Sequence, residues 1–203
     1  MTHPLRCHCG ALTGTVEHER LANHSICYCE DCQAFARFLG REVDLLDARG
    51  GSESIQALPK DVTFRDGVQH LTCMRLSETG LLRWYAACCN TPIGATPTTS
   101  KLPFVGLARA CLENTSPTVT ASFGPVRFCA FASGARGQPK PKPFGVPGFG
   151  LWLARNRLRA RFTGGFRENP FFDTATNRPI AAPSVLSPAE RDRLREPAAA
   201  QAS

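Results

Sequence analysis

Three thiols crowd one short run of this chain, Cys27-Tyr28-Cys29-Glu30-Asp31-Cys32. Upstream, Cys7-His8-Cys9-Gly10 offers two more, and Cys88-Cys89 adds an adjacent pair downstream. Thiolates at C-x-C-x-x-C spacing can converge on one tetrahedral zinc and leave its fourth position free. Three protein ligands with a vacancy mark a reactive zinc site, whereas four close a structural one. Cys27, Cys29 and Cys32 therefore predict an open, labile zinc site, and Cys7, Cys9, Cys88 and Cys89 a structural one. A zinc held by three thiolates carries net negative charge. That makes it a weak Lewis acid for generating hydroxide and argues against hydrolysis of the carbonic-anhydrase type. It suits holding an incoming thiol as thiolate, which stays nucleophilic toward a carbonyl carbon. A fourth ligand such as Cys73 or His24 would instead close the site.

Two adjacent cysteines can ligate one ion only across a kinked backbone, which Asn90-Thr91-Pro92 after Cys89 permits. Such a clamp would tie the N-terminus to a distant loop and stabilise the fold directly. The remaining chemistry-bearing residues read as structural. Cys73, Cys111 and Cys129 lie in apolar strand-like runs and predict buried thiols. His8 points away from the metal its neighbours share, while His3, His18 and His24 sit among polar residues and read as surface. His70 reads as a cross-strand packing residue. Glu30 and Asp31 read as solvated, with Asp31 capping a helix that starts at Gln33.

The elements that must position these thiols are mostly short strands. Residues 11–16 alternate and favour β structure. Residues 62–65 and 68–76 flank Asp66-Gly67, a hairpin signal because Asp-Gly suits a two-residue turn. Residues 81–85, 104–112 and 126–131 continue the pattern. One helix is expected over 33–39, with Phe35 and Leu39 on one face. Residues 134–150, dense in Gly and Pro, predict a loop or linker. Beyond it Leu151, Ala154, Leu158 and Phe162 mark a helical face, with Arg155, Arg157, Arg159 and Arg161 mostly on the others. Ser187-Pro188-Ala189-Glu190 is a capping-box start for a last short helix, and 197–203 should fray. This divides the chain into a zinc-binding β domain over 1–133, a linker over 134–150 and a basic, partly helical extension over 151–203.

The chain has 203 residues, 42% apolar and 20% charged, enough for one sizeable core with an extension. No apolar run approaches the roughly 18 residues of a membrane span, and the first residues lack a signal-peptide pattern. A cytoplasmic protein is expected, with its ten cysteines reduced and serving as ligands or buried apolar residues. The net charge of +7 is concentrated between Asn114 and Arg167, which hold no Asp or Glu. An anionic partner should meet that part first. Docking on the protein's own core, for which Phe149 and Trp152 offer apolar surface, is the favoured role of the basic helix, ahead of an anionic membrane surface or nucleic acid.

Cys7-x-Cys9-Gly10, Cys27-Tyr28-Cys29-x-x-Cys32 and the run Trp84-Tyr85-Ala86-Ala87-Cys88-Cys89-Asn90-Thr91-Pro92 together resemble the glutathione-dependent formaldehyde-activating enzyme family, which includes centromere protein V. The family pattern is C-x-C-G, C-H-C-x-x-C and F-C-x-x-C-G-T-P-L, and the resemblance covers residues 5–133. It implies a mainly β fold, a β-tent of small coiled antiparallel sheets, with one structural and one labile zinc. Cys7, Cys9 and Cys89 match the structural ligands, and Cys27, Cys29 and Cys32 the labile ones. Ala86 stands where the family has a ligand Cys, which leaves Cys88 as the replacement; Asn90 and Tyr28 stand for the usual Gly and His. The implied activity is carbon–sulfur lyase chemistry on thiol–aldehyde adducts, with glutathione as co-substrate and formaldehyde as aldehyde. The alternative is a non-catalytic zinc module whose basic extension contacts nucleic acid or a protein.

Overall fold

The structure is a computed structural model, and it describes residues 2–17, 21–113, 117–162, 164 and 168–195. Among these, β1 (Thr2–Arg6), β2 (Thr13–Glu17) and β3 (Asn23–Cys27) precede α1 (Glu30–Phe38) and α2 (Glu42–Leu45). Then come β4 (Ser52–Ala57), β5 (Val62–Asp66), β6 (Leu71–Arg75), β7 (Leu82–Ala86), β8 (Thr91–Thr96) and β9 (Val105–Ala108). α3 (Val119–Phe123), β10 (Phe128–Ala130), α4 (Val146–Phe162), β11 (Ser184–Val185) and α5 (Pro188–Arg195) follow.

The fold is mainly β, with two sheets. The smaller runs β1-β2-β5 and the larger β10-β3-β4-β9-β8-β7-β6-β11. The inner pairs of the larger sheet are antiparallel, while its outermost pairs, β10 with β3 and β11 with β6, are parallel. Alternation explains the packing. Leu5, Leu12, Val16 and Val62 of the small-sheet segment meet Ile55, Leu82, Trp84, Ile93 and Leu107 of the large sheet in one core. Buried Trp84 keeps a partner for its indole N–H, which donates to Thr96 Oγ1 at 3.0 Å.

The hairpin expected across Asp66-Gly67 does not form. β5 pairs with β2 of the small sheet, and β6 pairs with β7 of the large one. Gly67 adopts φ +74°, but a single 3-10 turn over Val68–His70 follows and carries the chain to the other sheet. A side chain at Gly67 would lie 1.9 Å from the Ala11 carbonyl, so this crossing admits only glycine. His70 therefore sits in that turn and not in a strand.

The C-terminal part contributes to the same core. Phe171 is fully buried, 5.2 Å from the Trp84 ring and 5.3 Å from Phe64. β11 adds to the edge of β6, and α5 lies against α1, where Arg195 pairs with Asp31 at 3.0 Å. The capping box of α5 forms as expected: Glu190 N–H donates to Ser187 Oγ at 3.3 Å, and Ser187 N–H to the Glu190 carboxylate at 2.9 Å. The expected fraying over 197–203 and the surface position of His18 lie outside the described residues.

α4 docks on the protein through Phe149 and Trp152, the residues expected to give it apolar surface, while the face marked by Leu151, Leu158 and Phe162 stays outside. Phe149 stacks on Phe128 at 4.5 Å, Trp152 Nε1–H donates to the Leu21 carbonyl at 2.7 Å, and Asn156 and Ala160 are buried. Arg159 pairs with buried Asp61 at 3.1 Å. Aromatic stacking and that ion pair set the helix rotation, which turns Leu151, Leu158 and Phe162 outward.

His3 and His24, expected at the surface, are buried. His3 bonds Ser122 Oγ at 2.8 Å and the Leu112 carbonyl at 3.0 Å. His24 bonds the Gly124 carbonyl at 2.8 Å and Glu53 at 2.9 Å. The polar neighbours in sequence misled: alternation turns His3 inward in β1, and in β3 polar Asn23, His24 and Ser25 are all buried together. The His24 hydrogen bond and, beyond it, Arg109 at 2.7 Å pull the Glu53 carboxyl from 4.5 down to about 2, against the opposing effect of partial burial. A depressed carboxyl contributes stability above its unfolded value and loses it as pH falls through the folded one. The difference in melting temperature between wild type and Glu53→Gln should thus be full above about pH 4.5 and vanish toward pH 2. A difference that stays constant over that window would count against the network.

Candidate metal centres

Two hairpin turns from different sheets build the first cluster. The β1–β2 turn carries Cys7 and Cys9; Cys7 N–H donates to the Leu12 carbonyl at 2.9 Å, and Gly10 takes φ +81°. The β7–β8 turn carries Cys88 and Cys89, with Asn90 at φ +52°, the kink that adjacent ligands require. The Sγ atoms of Cys7, Cys9, Cys88 and Cys89 all lie within 4.8 Å of one another. Cys7–Cys9 is 3.5 Å, Cys7–Cys88 3.8 Å, Cys9–Cys88 3.4 Å and Cys88–Cys89 3.8 Å. A tetrahedron of sulfurs at a zinc–sulfur distance of about 2.3 Å has edges of about 3.8 Å. These four edges, 3.4–3.8 Å, are close to that size, so the cluster could hold a metal ion.

Ala86, where the resemblance expects a ligand, is the buried last residue of β7. Exposed Cys88 in the turn reaches the cluster instead. Thr91 locks the two turns together: its Oγ1 accepts from His8 N–H at 2.9 Å and lies 3.1 Å from Cys89 Sγ. His8 itself is exposed, as expected. Leu12 N–H donates to Cys7 Sγ at 3.2 Å. Burial pushes the Cys7 thiol up despite that bond. Burial opposes ionisation of Cys89 too, but hydrogen bonds from Thr91 and from Cys9 N–H outweigh it and bring the thiol down to about 6.

The second cluster sits where β3 runs into α1. Cys27 ends the strand, Cys29 is the N-cap of α1 in extended conformation, and Cys32 lies in the first helical turn. The helix thus starts at Glu30, earlier than expected. Its cap is Cys29 and not Asp31: Cys32 N–H donates to Cys29 Sγ at 3.4 Å. The strand-to-helix turn is held from behind by Gln33, whose Nε2 donates to the carbonyls of Tyr28 and Gly134, both at 3.1 Å. Tyr28 donates its hydroxyl to Asp47 at 3.0 Å.

The three Sγ atoms lie within 4.8 Å of one another, and among the described residues no fourth His, Cys, Asp or Glu joins them. Neither residue that might have closed the set does so. Cys73 is buried in β6 opposite Trp84, and His24 is engaged by Glu53. Hydrogen bonds from Cys27 and Cys29, reinforced by Arg83, hold the Cys32 thiol well below its usual range, while Cys27 is pushed up in return.

Arg83 is the residue of this candidate site that sequence reading missed. It lies nearly buried on β7, its Nη1 4.0 Å from Cys32 Sγ and its guanidinium 5.3 Å from the centre of the Phe35 ring. Its only sequence signal was a charge inside the apolar run Leu81-Leu82-Arg83-Trp84-Tyr85. Cys73, Cys111 and Cys129 are buried, as expected.

The family described as Family of unknown function (DUF6151) matches residues 1–165. The chain belongs to this family. No curated protein matches it. Among solved structures, a Rhodobacter sphaeroides protein determined as a structural-genomics target is 22% identical, with 63% of this chain and 98% of that one covered and a TM-score of 0.42. A likeness of that size carries no argument about this family member. Both thiol clusters and Arg83 fall inside the matched segment. Two sites in this chain could hold metal ions, and no described helix is long and apolar enough to cross a membrane.

Proposed function

We propose that this family member is a zinc-dependent carbon–sulfur lyase acting on thiol–aldehyde adducts, with glutathione and formaldehyde as the pair to test first. One observation supports this reading most. Three thiols converge at the start of α1 with no fourth described ligand, whereas four converge between the hairpin turns. All-sulfur donors favour zinc or iron over harder metals, and the sulfur spacing of the larger cluster suits zinc. Cys7, Cys9, Cys88 and Cys89 would hold a structural zinc, and Cys27, Cys29 and Cys32 a labile one. When bound, the labile zinc would stabilise an incoming thiol as its thiolate.

The reaction is a balanced addition. The thiol sulfur forms a bond to the aldehyde carbon, the carbonyl π pair moves to oxygen, and the thiol proton ends on that oxygen. The reverse cleaves the carbon–sulfur bond. Cys27, Cys29 and Cys32 bring excess negative charge to the site, and an arriving thiolate adds to it. Arg83 is the group that offsets this charge, because its guanidinium faces Cys32 with few waters to screen it. The three motifs shared with formaldehyde-activating enzymes support the same chemistry.

Exchange NMR on zinc-loaded protein with glutathione and formaldehyde tests the reading, with protein-free and Cys29→Ser controls. We expect acceleration over the spontaneous reaction that is lost in Cys29→Ser while the fold persists. No acceleration with both metal equivalents bound would overturn glutathione–formaldehyde chemistry and favour the non-catalytic module. Arg83→Met should lower turnover roughly ten- to hundredfold, the loss of one charge-assisted contact, with metal content unchanged. Unchanged turnover would remove Arg83 from the site.

A further inference from the structure

The outward face of α4 carries both apolar and basic groups and is not used by the thiol sites. Leu151, Leu158 and Phe162 are 73%, 56% and 79% exposed. At helical spacing they form one ridge, with Arg155 on it and Arg157 and Arg161 along one flank. Arg159 is committed to Asp61 on the docked side, but Arg155, Arg157 and Arg161 have no acidic partner among the described residues. The helix is about 25 Å long at 1.5 Å per residue. Beside it runs a groove of about 700 Å³, lined by Leu21, Phe149, Trp152 and Leu158 and bordered by Arg127 and Arg155.

We propose that this face is a docking surface for an anionic lipid bilayer, with α4 lying flat and its ridge entering the headgroup boundary. Two features on the face favour that occupant. Ordinary packing cannot account for three large apolar side chains on the outer side of a helix whose inner side is already stacked on Phe128 and bonded to Leu21. Charge then selects among partners. No acid occurs between Asn114 and Arg167, so the charges this stretch itself presents are all positive and match anionic headgroups. A second copy of the chain would bring Arg155, Arg157 and Arg161 against themselves. Nucleic acid would leave the Leu151–Leu158–Phe162 ridge against phosphates. An interfacial helix with arginines beside Leu and Phe, by contrast, satisfies both groups at once.

The test is flotation of the full, metal-loaded chain with large unilamellar vesicles of phosphatidylcholine alone or with about 30% phosphatidylserine, at low and at physiological salt. Expected is cofloating with the anionic vesicles only, weakened by salt. Arg155→Gln and Arg161→Gln should each reduce partitioning about fivefold. Leu158→Ser with Phe162→Ser should reduce it at least tenfold, while thermal melting and metal content stay at wild-type values. Absence from anionic vesicles at low salt would overturn the proposal, as would equal binding to neutral vesicles or indifference to the ridge substitutions. Duplex DNA binding that survives loss of the ridge would assign the face to nucleic acid instead. A dimer in sedimentation velocity that Leu158→Ser abolishes would assign it to self-association.

Discussion

Cys9→Ser and Cys88→Ser are each expected to abolish cooperative folding, whereas Cys29→Ser loses one equivalent of metal and keeps its fold. The contrast follows from what each cluster joins. Cys7, Cys9, Cys88 and Cys89 link the β1–β2 turn of the small sheet to the β7–β8 turn of the large one. A metal there crosslinks the two layers whose shared core holds the molecule together. Structural zinc contributes about 10–16 kcal/mol in small zinc peptides, and whole domains have a net stability of about 5–15 kcal/mol. Even a fraction of that contribution decides whether this fold persists. Cys27, Cys29 and Cys32 are local: all three sit at one junction of β3 with α1, and Gln33 braces that junction without metal. Metal analysis with far-UV circular dichroism and thermal melts of the three variants checks the prediction. Equal unfolding of all three would erase the distinction between a structural and a labile site, and with it the basis of the lyase reading.

Phe171→Ala should destabilise the protein by about 3–5 kcal/mol, the range for deleting a buried aromatic. Phe171 lies far along the sequence from every strand of the core, yet it is fully buried between Trp84 and Phe64. Deleting its ring leaves a void bounded by one residue from each sheet, and neither can shift without disturbing its pairing. Leu151→Ser, on the exposed face of α4, is the matched control and should change stability by no more than about 0.5 kcal/mol. Denaturant unfolding of both variants measures the difference. A Phe171→Ala loss under 1 kcal/mol would mean that the C-terminal segment is peripheral after all.

The two thiol clusters were legible because the spacing of potential ligands is a local property. Three thiols in the run Cys27 to Cys32 must be neighbours in any fold, and Asn90 after Cys89 signals the left-handed kink that adjacent ligands need. The runs that hold β2, β5, β6, β7, β9 and β10, the helix around Phe35 and the capping box at Ser187 were legible for the same reason, whereas β1, β3, β4 and β8 were not read from the sequence. What failed depended on distant partners. Asp66-Gly67 is compatible with a hairpin, but β5 found β2 and β6 found β7, because each strand's apolar side is better covered there. His3 and His24 looked polar and became buried, since only the fold supplies Leu112, Ser122, Glu53 and Gly124 as partners.

The sequence by itself determined that this chain carries two groups of thiols that could hold metal ions on a mainly β scaffold, with a basic segment after them. Only the tertiary structure decided that the β1–β2 and β7–β8 turns of two different sheets bring four thiols together, that Arg83 faces Cys32, and that α4 turns Leu151, Leu158 and Phe162 outward. The physical reason is the range of the interactions. Spacing and propensity act within a few residues, whereas burial, ion pairing and ring stacking are set by groups that meet only when the sheets close.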